Sequence, residues 1–501
     1  MIKKIFSTLL FAFSLPLGAA PAFSKFRARP RLVVLFVVDQ FRADFLTRLA
    51  HRYKPPGREA DPGGFLFLAE KSAYFPTAEY RVMSAVTCPG HAVIATGAYP
   101  AFTGIPLNDW YDRKQKKVVG CVEDAKDEVS PARLKTSTVG DELKIVSPQS
   151  RVVSISVKDR AAVMLGGHLG DFVLWMGPQG WETSSYYEKG FPAWAQSEKA
   201  RFEKKISDSK GQLEAKSLQA LPVAVELTGD LALKALEGEK LGEDSAPDLL
   251  AISFSSHDLA GHRYGPFSPE VEAVSVQIDR EISRVLKAVS SRLGSLKDVV
   301  VILTGDHGIP PNPEPGRSSK LKQGQIDSLE FFQKVGGRLN SQFGRPPSEW
   351  LKASLTSNYY LNEDALNGTK ASRGAVEAIV KEEALKIEGV AQVFTRTDYE
   401  RGLNLHPHVQ EQVLNQYTPE TGGDIVVLPE AFFRGKDDKR VNHVTGYAYD
   451  RFVPLFIYGR LIKSGVYPHS IQMIDLAPTL SFILGQLPPA KSQGSPLKEI
   501  F

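Results

Sequence analysis

Short runs of β-branched and aliphatic residues recur at wide spacing, at 31–38, 151–157, 248–254, 299–303, 425–428 and 453–458. Near-continuous apolar runs of this length mark strands covered on both faces, so they predict the buried strands of an α/β sheet. Between them, 222–236 and 270–293 carry helical patterns long enough to cross over such a sheet and cover its faces. The fold class these segments dictate is a multi-stranded α/β sandwich. From residue 310 to 440 the pattern changes to Pro/Gly-rich turns, then a helix-like 372–387 and a strand-like 390–394. This predicts an inserted subdomain at 310–440 within a discontinuous core of 31–309 and 441–490. Residues 53–64 read as a turn-rich loop, and no internal repeat or low-complexity tract interrupts the chain.

The N-terminus predicts export. Lys3 and Lys4 precede an apolar run at 5–17, and Ala20-Pro21-Ala22 offers a small-x-small cleavage site before Phe23, so residues 1–22 read as a secretory signal. The run is shorter than the roughly 20 residues of a membrane span, which disfavours an uncleaved anchor. No later stretch approaches about 18 uninterrupted apolar residues, so no stable membrane insertion is expected after cleavage, and a bacterial periplasm fits best. A composition 42% hydrophobic and 24% charged excludes disordered, fibrous and membrane-embedded classes. The net charge of +4 is too small for a nucleic-acid-binding surface, so any anion site must be local. Cys88 and Cys121 are too few for a disulfide-dense scaffold or a cysteine zinc site; they either pair or stay as small buried thiols.

Three of the predicted strands run into residues that bind metal or phosphate: Asp39 after the first, Ser255-Ser256-His257-Asp258 after the third, Gly305-Asp306-His307 after the fourth. Ligands of open α/β sheets collect outside the carboxyl ends of strands, so these residues can converge from distant positions. One Asp after a strand is ordinarily a cap or turn residue. Three such coincidences argue otherwise. Asp258 and His262 stand four residues apart, on one face if helical, and His443, in a loop before the 453–458 strand, would complete a three-ligand set with them. Mixed nitrogen and oxygen donors of this kind favour zinc over manganese.

A second cluster surrounds Thr87, in Ser84-Ala85-Val86-Thr87-Cys88-Pro89-Gly90-His91. Pro89 near N1 predicts a helix start there, where backbone N–H groups bind anions. A Thr at such a place is usually a cap; a nearby metal able to deprotonate its hydroxyl favours a nucleophile instead. Asn108 is a candidate donor to phosphate oxygens. Lys158 and Arg160 follow the 151–157 strand and are expected to point the same way, because alternate strand residues share a face. His91 and His257 read as structural hydrogen-bonding residues.

These residues, in this order, resemble the alkaline phosphatase superfamily: Asp39, Thr87-Cys88-Pro89-Gly90-His91, Asn108, Lys158-Asp159-Arg160, Asp258-Leu259-Ala260-Gly261-His262, Thr304-Gly305-Asp306-His307-Gly308 and His443. The resemblance runs from about residue 31 to the C-terminus. It is strongest to the periplasmic phosphate-irrepressible alkaline phosphatases, a threonine-nucleophile branch related to nucleotide pyrophosphatase/phosphodiesterases. It implies a three-layer sandwich with a central, mostly parallel sheet, and two zinc ions. One would be held by Asp258, His262 and His443, the other by Asp39, Asp306 and His307 with Thr87 beside it. The implied reaction is hydrolysis of small-molecule phosphate monoesters through a phosphothreonine, with Asn108, Lys158 and Arg160 on the nonbridging oxygens. The Lys-x-Arg pair marks monoesterases in that branch, and a phosphodiesterase or nucleotide pyrophosphatase of the same fold is the alternative. A sulfatase is disfavoured because Cys88-Pro89-Gly90-His91 lacks the Cys-x-Pro-x-Arg spacing. A silent metal- or phosphate-binding protein is disfavoured because nucleophile and ligands occur together. An enzyme acting on phospholipid or phosphoglycan head groups is a further alternative, and the motifs specify no oligomeric state.

Overall fold

The computed structural model describes residues 29–208, 215–311, 322–355, 357–402, 405–436 and 441–501. The predicted signal at 1–22 lies outside the described residues. Leu32–Val38 is buried along its whole length and runs parallel to Asp248–Phe254 on one side and Val299–Thr304 on the other. Val152–Ser156 and Phe172–Gly177 extend the parallel array beyond Asp248–Phe254. Among the described residues the sheet has ten strands, and its other wing is antiparallel, Phe452–Tyr458 followed by Ala73–Glu79.

The two-residue period of the central strand builds the layers. Leu32, Val34, Phe36 and Val38 join one apolar cluster with the helices Pro222–Gly238 and Pro269–Leu293. Val33, Leu35 and Val37 join a second cluster on the opposite face, with Val93, Ile94 and Leu480 from the helices Thr87–Thr96 and Leu476–Leu484. The result is the expected three-layer sandwich around a mostly parallel sheet. Among the described residues no helix is long and apolar enough to cross a membrane.

Two of the longer sheet strands escape a reading of the sequence. Ala73–Glu79 contains Pro76, which has no N–H for the ladder, and pairing with Phe452–Tyr458 shifts register beside it. Phe172–Gly177 follows closely on a short helix and lies toward the sheet's edge. Ile425–Pro429, read as one strand among those of the α/β sheet, belongs elsewhere: it pairs antiparallel with Asn358–Leu361 and Val390–Thr395 in a separate four-stranded sheet. An apolar run specifies a strand but not its partner. That sheet has its own core, with Phe331, Leu339, Trp350, Val376 and Val380. The helix expected at 372–387 spans Arg373–Ala384, with Ser372 outside it as the N-cap accepting from Ala375 N–H. The 53–64 loop holds a two-residue hairpin, Gly57–Arg58 with Asp61–Pro62.

Candidate active site

The carboxyl ends of the parallel strands deliver the predicted residues to one place. Asp39 follows Leu32–Val38, Asp306 and His307 follow Val299–Thr304, and Asp258 opens the helix Ser256–Tyr264 after Asp248–Phe254. Helical spacing carries His262 back over Asp258, with Nε2 3.2 Å from Oδ1. His443 arrives from the far end of the chain, its Nε2 3.1 Å from Asp258 Oδ1 and 3.0 Å from His262 Nε2. Its ring stacks on His307 with centroids 3.6 Å apart.

Two donor groups emerge, Asp258 with His262 and His443, and Asp39 with Asp258 and His307, each within 4.8 Å. Asp258 therefore stands between them. Asp306 adjoins the second group, since His307 Nε2 lies 3.3 Å from both Asp306 Oδ2 and Asp39 Oδ1. Asp39 Oδ1, Asp306 Oδ2 and His307 Nε2 are all buried and face one another, with His91 Nδ1 3.1 Å from Asp306 Oδ2. Two buried carboxylate oxygens and a buried imidazole nitrogen converging on one point are a donor set that a cation satisfies, so these residues fit a metal.

Against the cost of burial, Asp306 and Asp39 push His307 up to about 9, and Asp258 raises His262. Burial pushes Asp306 up, as does Asp39 beside it. Burial works against the charge on Asp258 and Asp39, yet His262 and Lys158 hold Asp258 well below the usual carboxylate range, and Lys158 does the same for Asp39. His443 is lowered to about 3 by burial and by the His307 charge, so its imidazole is neutral and can ligate. Second contacts aim the rings: His443 Nδ1 bonds Ala85 O at 2.9 Å and His307 Nδ1 bonds Gly308 O at 3.0 Å, leaving Nε2 toward the site.

Thr87 is the first residue of the helix Thr87–Thr96, whose N-cap is the extended Val86, and its side chain makes no capping bond. The helix thus starts two residues before Pro89, which is tolerated because first-turn N–H groups have no intrahelical acceptor. Thr87 is buried at 1% exposure and its Oγ1 accepts from Lys158 Nζ at 3.1 Å. The same ammonium donates to Asp39 at 2.7 Å and Asp258 at 2.6 Å. Burial disfavours its charge, but Asp258 and Asp39 raise its pKa, so it stays cationic.

Lys158 and Arg160 do not share a strand face. The strand ends at Ser156, Lys158 is the N-cap of Asp159–Gly166, and Arg160 lies in that helix's first turn. Arg160 Nε is buried without a hydrogen-bond partner. Asn108 Oδ1 accepts from Cys88 N–H at 2.8 Å, which fixes the amide's orientation and turns Nδ2 away from it. Among the described residues Nδ2 has no partner. His91 bonds Thr87 O at 2.9 Å and Ser253 Oγ at 2.8 Å, and His257 bonds Asp39 O and Ser275 Oγ at 3.1 Å, both in the structural roles expected. Cys88 and Cys121 are joined as a disulfide.

The family description for type I phosphodiesterase/nucleotide pyrophosphatase matches residues 33–431. The chain belongs to this family. It is a hydrolase family within the alkaline phosphatase superfamily. The chain is 26% identical to alkaline phosphatase PafA of Elizabethkingia meningoseptica over 94% of each chain. It is 28% identical to alkaline phosphatase PhoK of Sphingomonas sp over 98% of this chain and 97% of that one. A calcium-transporting ATPase of Myroides odoratus is 27% identical over 94% of each. The crystal structure of wild-type PafA superimposes with a TM-score of 0.87 and 25% identity, covering 94% of this chain and 99% of that one.

Gln40 also joins this cluster, and the sequence conceals it. Its N–H donates to Asp306 Oδ1 at 3.0 Å and its amide to Asp258 Oδ1 at 2.7 Å. Gly261 makes room for it, since a Cβ there would lie 1.8 Å from Gln40 Oε1. A glutamine beside an aspartate carries no signal of its own; only the small residue in Asp258-Leu259-Ala260-Gly261-His262 hints at a close neighbour. A cavity of about 540 Å³ borders the His443 loop, walled by Tyr359, Val427, Phe432, Phe433, Val441 and Val444.

Proposed function

We propose that this protein is a periplasmic phosphomonoester hydrolase of the alkaline phosphatase type, releasing inorganic phosphate through a phosphothreonine at Thr87. The observation that carries the reading is Lys158, whose ammonium lies 3.1 Å from Thr87 Oγ1 while two buried carboxylates hold it. A cation fixed beside the attacking oxygen, with Arg160 two residues further on, rewards the dianionic phosphate of a monoester more than the single charge of a diester. The names of PafA and PhoK support the same reading.

Thr87 Oγ attacks phosphorus in line, and its bond to phosphorus forms as the bond to the departing alcohol breaks. Water then cleaves the phosphothreonine, regenerating Thr87. Lys158 places its positive charge beside Thr87 Oγ and the incoming phosphate, Asn108 Nδ2 donates to a nonbridging oxygen, and Arg160 offers a planar fork to the phosphate. Two divalent cations, zinc by the donor set, would be held by Asp258, His262 and His443 and by Asp39, Asp306 and His307, supplying Lewis-acid charge to the nucleophile and the leaving oxygen. The core at 31–309 and 441–490 then carries the chemistry, and the insertion at 310–440 borders the substrate approach. Periplasmic placement rests on the signal pattern at 1–22.

A diesterase of the same fold is the second reading, favoured by the family's own description. The deciding experiment compares kcat/KM on aryl monoester and diester substrates, before and after Lys158→Ala with Arg160→Ala. The monoester should be the better substrate and lose far more. Equal losses on both, or a native preference for the diester, would move the protein to the second reading.

A further inference from the structure

We infer that the Cys88–Cys121 disulfide positions Asn108 on the transferring phosphate, and is not merely a staple for the fold. Both half-cystines hold the same residue. Cys88 N–H donates to Asn108 Oδ1 at 2.8 Å, and Cys121 N–H donates to Asn108 O at 2.8 Å. Cys88 follows Thr87 in the helix, while Asn108 and Cys121 bracket the hairpin of Asp109–Asp112 with Lys117–Gly120. The Cys88–Cys121 bond therefore ties the base of that hairpin to the turn carrying the nucleophile. Both cysteines are buried, packed with Ile105, Trp110 and Val119, so the link moves with the core.

The physical reason is tolerance. Hydrogen bonds worth about 1 kcal/mol each allow the hairpin to slide relative to the helix. A misplacement of about 1 Å in a phosphate-binding group can cost on the order of 100-fold in rate. A covalent bond between the two elements removes that motion, and the Cys88 N–H then sets the amide's rotation so that Nδ2 faces the substrate. Cys88 and Cys121 are positioning residues: they touch Asn108 and not the phosphate.

The inference rests on the reading above that Asn108 binds phosphate, and a mutant cycle separates the two. Cys88→Ala with Cys121→Ala is made in the native, Asn108→Ala and Arg160→Ala backgrounds, and kcat/KM on an aryl phosphate monoester is measured on metal-loaded, full-length enzyme alongside metal content. Removing the disulfide should lower kcat/KM about 10- to 100-fold in the native and Arg160→Ala backgrounds. It should change little in Asn108→Ala, where no amide is left to place, and metal content should hold throughout. Equal losses in all three backgrounds, or no loss in the native one, would overturn the inference and leave the function standing. A costless Asn108→Ala would remove the functional reading and the inference together. Where the alanine pair does not fold, Cys88→Val with Cys121→Ala keeps more of the buried volume and enters the same cycle.

Discussion

Gln40 sits in the left-handed region at φ 68°, a conformation that costs a residue with a Cβ about 1 kcal/mol or more. What sustains it is the pair of bonds to Asp306 and Asp258, which joins the carboxylates of the two donor groups. Gln40→Ala should weaken metal affinity about 10- to 100-fold, the usual cost of losing a partner behind a ligand. Chelator competition measures it, and unchanged affinity would leave Gln40 a backbone feature only. Thr87→Ala should lower turnover by roughly 10⁵-fold or more with metal content retained, since a nucleophile's loss removes the covalent step. Near-native turnover in that variant would exclude Thr87. At this scale the sequence names the residues that announce themselves by type, such as His262 four positions after Asp258. It hides Gln40, whose role arises only from what lies opposite it.

The helix Thr87–Thr96 is buried at every residue, and its first turn presses on the strand end that carries Asp306: a Cβ on Gly90 would lie 2.4 Å from Asp306 O. Lys158 and Arg160 were legible as a pair, but the reason expected for their pairing was wrong. The chain leaves the strand after Ser156 and Ala162 N–H already bonds Lys158 O, so the pair belongs to a helix start and not to a strand face. Elsewhere Glu281, on Pro269–Leu293, is buried against Gly229 of Pro222–Gly238. Burial raises its carboxyl from 4.5 to about 7, despite Arg284 at 2.9 Å. A raised acid pKa means the fold binds this proton more tightly than the unfolded chain does. Its contribution is fully present below pH 4.5 and is lost as pH climbs through about 7. Glu281→Gln should therefore be more stable than the parent at pH 8, by about 1–3 kcal/mol, and no more stable at pH 4. Urea melts at both pH values test this, and a gain at pH 4 alone would reverse the assignment.

Across the whole molecule, the donor groups draw on positions 39, 258, 306 and 443, and only the assembled sheet and the loop after the second sheet bring them together. The second sheet is tied to the hairpin after Asn108 by Arg113, which reaches buried Asp424 at 3.0 Å, with Arg373 on the same carboxyl oxygen at 2.8 Å. Metal that binds this assembled site and not the unfolded chain must raise the melting temperature. At a thousand times its Kd that linkage is worth about 4 kcal/mol. Chelation should lower Tm and abolish activity together, and zinc should restore both; restoration by manganese or calcium alone would count against zinc. The sequence by itself determined the fold class and named donor-type residues that the structure brings together, because hydrophobic period and donor type are local properties. It did not determine that 425–429 leaves the main sheet, that Cys88 and Cys121 pair around Asn108, or that Lys158 bridges Asp39, Asp258 and Thr87. Those depend on which segments meet across hundreds of residues, and packing decides that where propensity is silent.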